Sequence, residues 1–200
     1  MMTRPVPADS TAIRSDSGFT LLELLVTSVI LLTVLGIVGR IFADSDRVYR
    51  SQRQYVEARG GAASALEMIV RLTRQAGETT ASNGIWPDPD GNGTLDSIRL
   101  VADWNPRNGV VTDPYEDVTF TATGGTLFKR EPADAGPVAF ADRVASITFS
   151  YVSPAGVPVT NPITVPKAHL GYVNVTLLTM PVNNVPGRVF ASSASVRRRE

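Results

Sequence analysis

The sequence has no cysteine and a single histidine, His169, among its 200 residues. The lack of cysteine excludes disulfides, thiolate catalysis and zinc sites built on cysteine, so an exported domain must be held by packing or by a metal that binds other ligands. The sequence also lacks a glycine-rich phosphate loop followed by Lys-Ser or Lys-Thr, and a lone histidine is more often structural than catalytic. We therefore expect a protein that is not an enzyme.

Net charge is also lacking, because 19 Lys and Arg residues balance 19 Asp and Glu residues. A nucleic-acid-binding surface usually needs an excess of basic residues, so we predict no direct nucleic-acid binding. The length is sufficient for one ordinary domain with an appendage.

Apolar residues are concentrated near the N-terminus. No residue from Leu24 to Gly39 is charged, and the longer stretch from Phe19 to Phe42 has only Glu23 and Arg40 as charged residues. As an α-helix this stretch would measure roughly 36 Å, which is enough to cross the ~30 Å hydrocarbon core of a bilayer. Apolar residues on every face favour a transmembrane helix over a buried core helix.

Two features of the flanking residues bear on this prediction. A cleaved secretory signal would have a shorter apolar run, of ~7–15 residues, with a small-residue cleavage site behind it, so this alternative fits poorly. The distribution of basic residues argues against export of the C-terminal part. Arg4 and Arg14 precede the run, whereas several arginines follow it, at positions 40, 47, 50, 53 and 59. A count of positive charges would retain the C-terminal part in the cytoplasm, although long domains often translocate regardless of local charge.

The residues Ser17-Gly18-Phe19-Thr20-Leu21-Leu22-Glu23, directly before the apolar run, resemble the processing site of type IV prepilins and type II secretion pseudopilins. The resemblance implies cleavage after Gly18 by a membrane prepilin peptidase and methylation of the new N-terminal amine of Phe19. It also implies that Glu23, the fifth mature residue, pairs with the N-terminal amine of a neighbouring subunit. Residues 1–18 are then a leader peptide and residues 19–42 the transmembrane half of a long helix.

The position of Glu23 has a physical reason beside the resemblance. An ionised carboxylate within a bilayer costs about 2.5–3.5 kcal/mol on insertion scales, so it usually has a partner or a function. The alternative is that the side chain reaches the headgroups from near the helix end.

Residues 43–77 continue the helical pattern in amphipathic form. Apolar or small residues recur at steps of three and four, with charged residues between them, which predicts one helix face packed on a sheet: Val48, Tyr55, Val56, Ala62, Ala63, Leu66, Ile69, Val70, Thr73 and Ala76. Gly60-Gly61 predicts a weak point or bend, and Gly77 a C-terminal stop. The segment from Gln54 to Gly77 resembles PilW-like minor pilins.

Residues 78–200 predict an exported β-rich head domain, because Pro, Gly, Asn and Asp become frequent and short β-branched runs replace the helical pattern. Gly124-Gly125 predicts a hairpin turn. The residues Ser146 to Tyr151, Pro154-Ala155-Gly156 and Ser195 to Arg199 again resemble PilW-like proteins. The predicted strands are Ser97–Ala102, Val118–Ala122, Thr126–Arg130, Ala145–Val152, Tyr172–Thr179 and Arg188–Val196.

The stretch Asp88-Pro89-Asp90-Gly91-Asn92-Gly93-Thr94-Leu95-Asp96 matches the first nine positions of an EF-hand-type calcium loop. The side chains of Asp88, Asp90 and Asn92, the carbonyl of Thr94 and a direct or water-mediated contact from Asp96 would bind Ca²⁺. The twelfth position, which normally supplies a bidentate carboxylate, is Arg99, so another acid would be needed. The alternative is an Asp/Asn/Gly turn without metal.

Together these features predict an α+β, type IV pilin-like fold, with a long N-terminal helix on a mainly antiparallel sheet. The predicted function is that of a PilW-like minor pilin, held in the inner membrane with its C-terminal domain exported, which then joins other pilin subunits in a filament. A minor pseudopilin of type II secretion and a membrane-anchored calcium-binding domain remain alternatives. No cofactor is expected other than Ca²⁺.

Overall fold

A computed structural model describes residues 19–77, 84–104, 107–163, 170–182 and 185–196. Its one long helix, α1, begins at Leu21 and ends at Gln75. The chain divides into two compact units, Met1–Val48 and Tyr49–Glu200, and α1 contributes to both. The boundaries predicted at residues 18 and 42 concern processing and membrane depth, and that at residue 77 concerns the start of the head domain; all three stay predictions.

In the first unit, every described residue from Phe19 to Val48 is exposed. By length and composition, helix α1 could cross a membrane, and no residue of its most apolar 18-residue stretch is buried. The hydroxyl groups in this segment donate to the helix backbone: Thr27 to the carbonyl of Glu23 at 2.5 Å and Thr33 to that of Val29 at 2.8 Å. Such bonds satisfy polar groups that hydrocarbon cannot.

In the second unit, α1 packs through small residues. Ala58, Ala62, Ala65, Ile69 and Leu72 are buried and spaced by three or four positions, as one helix face requires. The predicted packing stripe is correct at Ala62 and again from Leu66 onward, but it is wrong at Val48, Val56 and Ala63, which are exposed. The helix is continuous through Gly60-Gly61, so the predicted weak point does not interrupt it.

Five antiparallel strands form the first sheet, which we call sheet A, in the order β1-β2-β3-β4-β5. The β3–β4 turn is the predicted Gly124-Gly125 hairpin, with φ of 61° and 86°, a pair of values that suits glycine. The strands are β1 (Ile85–Pro87), β2 (Ser97–Val101), β3 (Asp117–Thr123), β4 (Thr126–Arg130) and β5 (Val138–Asp142).

Three antiparallel strands form sheet B, in the order β6-β7-β8. These are β6 (Val144–Val152), β7 (Tyr172–Thr179) and β8 (Val189–Ser195). One hydrophobic core joins both sheets with the helix, because Phe120 of sheet A and Phe149 of sheet B lie in the same buried cluster as Ile69. The α+β fold is therefore as predicted, with two sheets where the sequence suggested one.

The six predicted strands are all present, with ends that differ by at most one residue, and two further strands were missed. Strand β1 has three residues and ends in Pro87, and β5 is rich in alanine, so neither has a strong strand pattern. The adjacent carboxylates of Glu116 and Asp117 lie in the interior rather than at a solvated edge. Glu116 is fully buried and Asp117 is 8% exposed.

Candidate functional site

The start of helix α1 is capped by Thr20. Its side-chain oxygen accepts a hydrogen bond from the backbone N–H of Glu23 at 3.2 Å, and its carbonyl accepts one from Leu24 at 3.1 Å. Thr20 and Glu23 therefore occupy the N-cap and N3 positions of a helix, the spacing of a capping box. The cap fixes the helix start two residues after Phe19, which is 79% exposed. Gly18, the predicted cleavage position, lies outside the described residues.

The carboxylate of Glu23 has no hydrogen bond or ion pair in the part of the chain that the structure describes. Its position in the first helical turn places it near the positive end of the helix dipole, which favours an anion. The surrounding side chains are apolar and exposed, with Leu22 at 73% and Leu24 at 65%. The helix start thus presents an uncompensated carboxylate on an apolar surface.

The loop between β1 and β2 holds the predicted calcium residues. Asp88 accepts hydrogen bonds from the backbone N–H groups of Asn92 at 3.0 Å and Gly93 at 2.9 Å. A side-chain hydrogen bond with Asp90, followed by these backbone N–H groups, lowers the pKa of Asp88. Gly93, at the sixth position of the loop, has a φ of 81°, the left-handed conformation for which glycine is favoured there.

Asn92 connects the other predicted ligands. Its amide donates to Asp90 at 2.9 Å and to Asp96 at 3.3 Å, and its oxygen accepts from the N–H of Thr94 at 2.7 Å. Asp90 also accepts from the hydroxyl of Ser97 at 2.8 Å. The side chains of Asp88, Asp90, Asn92 and Asp96 are therefore linked by one hydrogen-bond network, while calcium binding itself stays a prediction.

Arg99, at the twelfth position of the calcium frame, has a different role. It lies in β2 and makes two hydrogen bonds to Asp117 of β3, Nε to Oδ1 at 2.8 Å and Nη2 to Oδ2 at 2.6 Å. The guanidinium also stands 5.3 Å from the centre of the Trp86 ring. In the described residues, no group of three or more Asp, Glu, His or Cys side chains is placed to hold a metal.

The outer face of sheet A forms a groove of about 810 Å³, lined by charged residues, threonines, prolines and Phe128. Four of its charged residues form two pairs, because Lys129 lies 2.5 Å from Glu131 and Arg99 contacts Asp117. The Lys129 ammonium also stands 4.7 Å from the centre of the Tyr115 ring. This pairing reduces the charge that the groove presents to an ion.

Sequence reasoning predicted roles for Phe19 and Glu23 but missed Thr20 as the helix cap. The signal was present, because Thr followed three positions later by Glu, before an apolar run, is typical of a helix N-terminus. The Arg99–Asp117 pair carried no such signal, since the two residues are distant in sequence and meet only through the β2–β3 register.

Residues 13–39 match the prokaryotic N-terminal methylation motif. No curated protein matches this chain. The motif is consistent with a type IV prepilin or pseudopilin, and it implies processing by prepilin peptidase and assembly with other pilins. The single apolar N-terminal helix fits an inner-membrane anchor.

Proposed function

We propose that the chain is a minor, PilW-like type IV pilin that is cleaved after Gly18, methylated at Phe19 and built into a filament during pilus assembly. The observation that carries the proposal is the start of α1. There, Thr20 caps the helix, and the Glu23 carboxylate has no partner in the described chain although its surroundings are apolar. A carboxylate in such surroundings requires a positive group, and the amine of Phe19 on a neighbouring subunit would supply it.

The resemblance to PilW-like proteins supports the minor-pilin role. The matching helical residues Gln54 to Gly77 include the face that packs on the core, and Ser146 to Tyr151 lie in strand β6. The matching Pro154-Ala155-Gly156 forms a turn in which the N–H of Gly156 donates to the carbonyl of Ser153 at 2.9 Å. These matched segments thus coincide with structural elements of the head.

Mass spectrometry of the mature protein tests the processing step. The expected N-terminal peptide begins at Phe19 and carries one added methyl group on its amine. An intact leader, or an unmodified terminus at another residue, would contradict the proposal.

Substitution of Glu23 tests the assembly step. We expect Glu23→Ala to be inserted and cleaved normally but to enter filaments on the order of a hundredfold less, because a charge pair in a membrane is lost. Glu23→Asp retains the charge and should assemble better than Glu23→Ala. Val29→Ala, a change on the exposed apolar surface, serves as the matched control and should assemble as the wild type does. Normal incorporation of Glu23→Ala would remove the pairing role.

Export of the head needs a separate test because the arginines after the apolar run oppose it. The chain has no cysteine, so Thr160→Cys on the exposed surface provides a single labelling site. A membrane-impermeant maleimide should label it in intact spheroplasts. Labelling only after lysis would place the head in the cytoplasm.

The same N-terminal motif also suits a minor pseudopilin of type II secretion. A deletion strain separates the two roles: loss of surface pili with normal protein secretion supports the pilin, and loss of secretion with normal pili supports the pseudopilin.

For the loop 88–96 we propose Ca²⁺ binding through the side chains of Asp88, Asp90, Asn92 and Asp96 and the carbonyl of Thr94, which would have to close around the ion because the described loop does not bring the three carboxylates together. The alternating oxygen ligands and the positive φ of Gly93 support it. Because Arg99 replaces the bidentate acid, we expect weak affinity, of the order found in extracellular modules, ~10⁻⁴–10⁻³ M.

A further inference from the structure

Strand β8 is an edge of sheet B, and half of its backbone groups face away from the sheet. The N–H of Thr179 donates to the carbonyl of Arg188 at 3.0 Å, and the N–H of Val196 donates to that of Gly171 at 2.8 Å. Antiparallel pairing alternates, so the even-numbered residues between these points bond to β7. The backbone groups of Val189, Ala191, Ser193 and Ser195 therefore point outward, and all four residues are exposed.

Proteins usually protect a free sheet edge with charged side chains, proline or a β-bulge. Strand β8 has no charged residue and no proline, and the β7–β8 register runs without a bulge from Tyr172 to Leu178. The nearest charged residues in the sequence are Arg188 before the strand and Arg197 after it. An uncharged edge without a bulge is a template for another strand.

The outer face beside this edge is also free of charge. The strands β6, β7 and β8 contain no charged residue at all, and their outward positions are serine, threonine, asparagine, alanine, tyrosine, leucine and valine. Depletion of charge is typical of the buried part of a protein interface, not of solvent-facing surface.

We propose that the β8 edge is an assembly site, which pairs with an uncharged extended strand of a neighbouring filament subunit. The inference rests on the proposed pilin function. The occupant is a strand because the site consists of backbone donors and acceptors, and it is uncharged because the face beside it has nothing to pair with a charge. A second copy of β8 is a poorer fit, since two-fold strand pairing closes a dimer, whereas filament subunits repeat by a screw operation.

Ser193→Pro tests the edge with little change to the fold. The substitution removes an N–H that points away from β7, and proline is tolerated in edge strands at such positions. We expect normal cleavage and an unchanged unfolding midpoint, with incorporation into sheared filaments reduced on the order of tenfold. Ser193→Ala retains the N–H and should assemble as the wild type does. If Ser193→Pro fails to fold, Ser193→Lys is the second variant. Lysine on an edge strand opposes pairing with another strand, so this variant should show the same loss of filament incorporation.

Three outcomes would count against the inference. Wild-type incorporation of a folded Ser193→Pro or Ser193→Lys protein would overturn the edge site and leave the pilin function standing. A wild-type protein that never enters a filament would remove the pilin function and the inference with it. A disulfide between two copies of the Ala191→Cys, Ser193→Cys double variant, expressed without other subunits, would make a second copy the occupant and overturn the proposal as stated.

Discussion

Sheets A and B contribute to one core but differ on their outer faces. The strands of sheet A contain Arg99, Asp117, Lys129, Arg130 and Asp142, whereas the strands of sheet B contain no charged residue. Two of the cations of sheet A are paired within the chain, Arg99 with Asp117 and Lys129 with Glu131. A charged face can remain in solvent, while an uncharged face with a free edge is suited to burial against another subunit.

The two halves of α1 repeat this contrast. From Tyr49 onward the helix buries alanines and Ile69 within its own domain, whereas from Phe19 to Val48 every side chain is exposed. The first half thus presents an exposed apolar surface long enough to cross a membrane, and Glu23 is a charge on it without a partner among the described residues. The features that the chain leaves unsatisfied, Glu23 and the β8 edge, are the ones that we assign to assembly.

The shared core should make the two sheets unfold together. Phe149→Ala in sheet B removes a fully buried ring, and we expect a loss of about 3–5 kcal/mol in the free energy of unfolding. Urea unfolding of the full chain in micelles, followed by tryptophan fluorescence and by circular dichroism, measures it. Both tryptophans lie in or beside sheet A, so coincident transitions would show that damage to sheet B unfolds sheet A.

Thr148→Ala, at the exposed neighbouring position, is the control and should change stability by less than about 0.5 kcal/mol. If fluorescence and circular dichroism gave separate transitions for Phe149→Ala, the sheets would be independent units and the single core would be refuted.

The charge pairing of sheet A should contribute measurably to stability. Asp117→Ala leaves Arg99 without its two hydrogen bonds, and we expect a loss of about 2 kcal/mol. The Arg99 side chain is 44% exposed, so solvent limits the effect below that of a fully buried pair. A double-mutant cycle with Arg99→Ala isolates the coupling, and a coupling energy near zero would mean that the pair is only a surface contact.

Much of this architecture could be predicted from local patterns. The apolar run, the Gly124-Gly125 turn and the alternation in β6 and β7 each specify their structure over a few residues. The second half of α1 was harder, because alanines such as Ala58 and Ala65 give a weak hydrophobic pattern yet allow the helix to approach the core closely.

Features set by register could not be predicted. Arg99 was read as the defective twelfth position of a calcium loop, but the pairing of β2 with β3 brings it to Asp117. Likewise, Glu116 is fully buried and its carboxylate accepts the N–H of Trp104 at 3.0 Å, a contact between two loop residues that no local pattern predicts. The outward positions of β8 also follow only from its pairing with β7.

Calcium should stabilise the chain at the loop that joins β1 to β2 in sheet A. With a dissociation constant of ~1 mM, 10 mM Ca²⁺ would add about 1.4 kcal/mol to the free energy of unfolding. The loop is tied to sheet B as well, since the N–H of Phe149 donates to the carbonyl of Leu95 at 2.8 Å, so the single unfolding transition should shift as a whole.

Urea unfolding with 10 mM CaCl₂ and with 10 mM MgCl₂ measures this shift, and the smaller Mg²⁺ should give less. Asp90→Ala should abolish the calcium effect. Equal stability in the presence and absence of Ca²⁺, confirmed by the absence of binding heat in calorimetry, would eliminate the calcium proposal.

The stability of the chain should fall at alkaline pH, because Tyr151 of β6 lies in its core. The side chain is 2% exposed, its hydroxyl has no hydrogen-bond partner in the described residues, and burial, with a smaller contribution from Asp88, raises the pKa of Tyr151. An unfolded tyrosine ionises near pH 10, so the stability that depends on the neutral form is complete below that pH and decreases as the pH rises toward the folded pKa. Tyr151→Phe removes a buried hydroxyl without a partner and should stabilise the chain by about 1 kcal/mol at pH 7. It should also weaken the decline in unfolding midpoint between pH 9 and 11, and an equal decline in both proteins would mean that another group controls it.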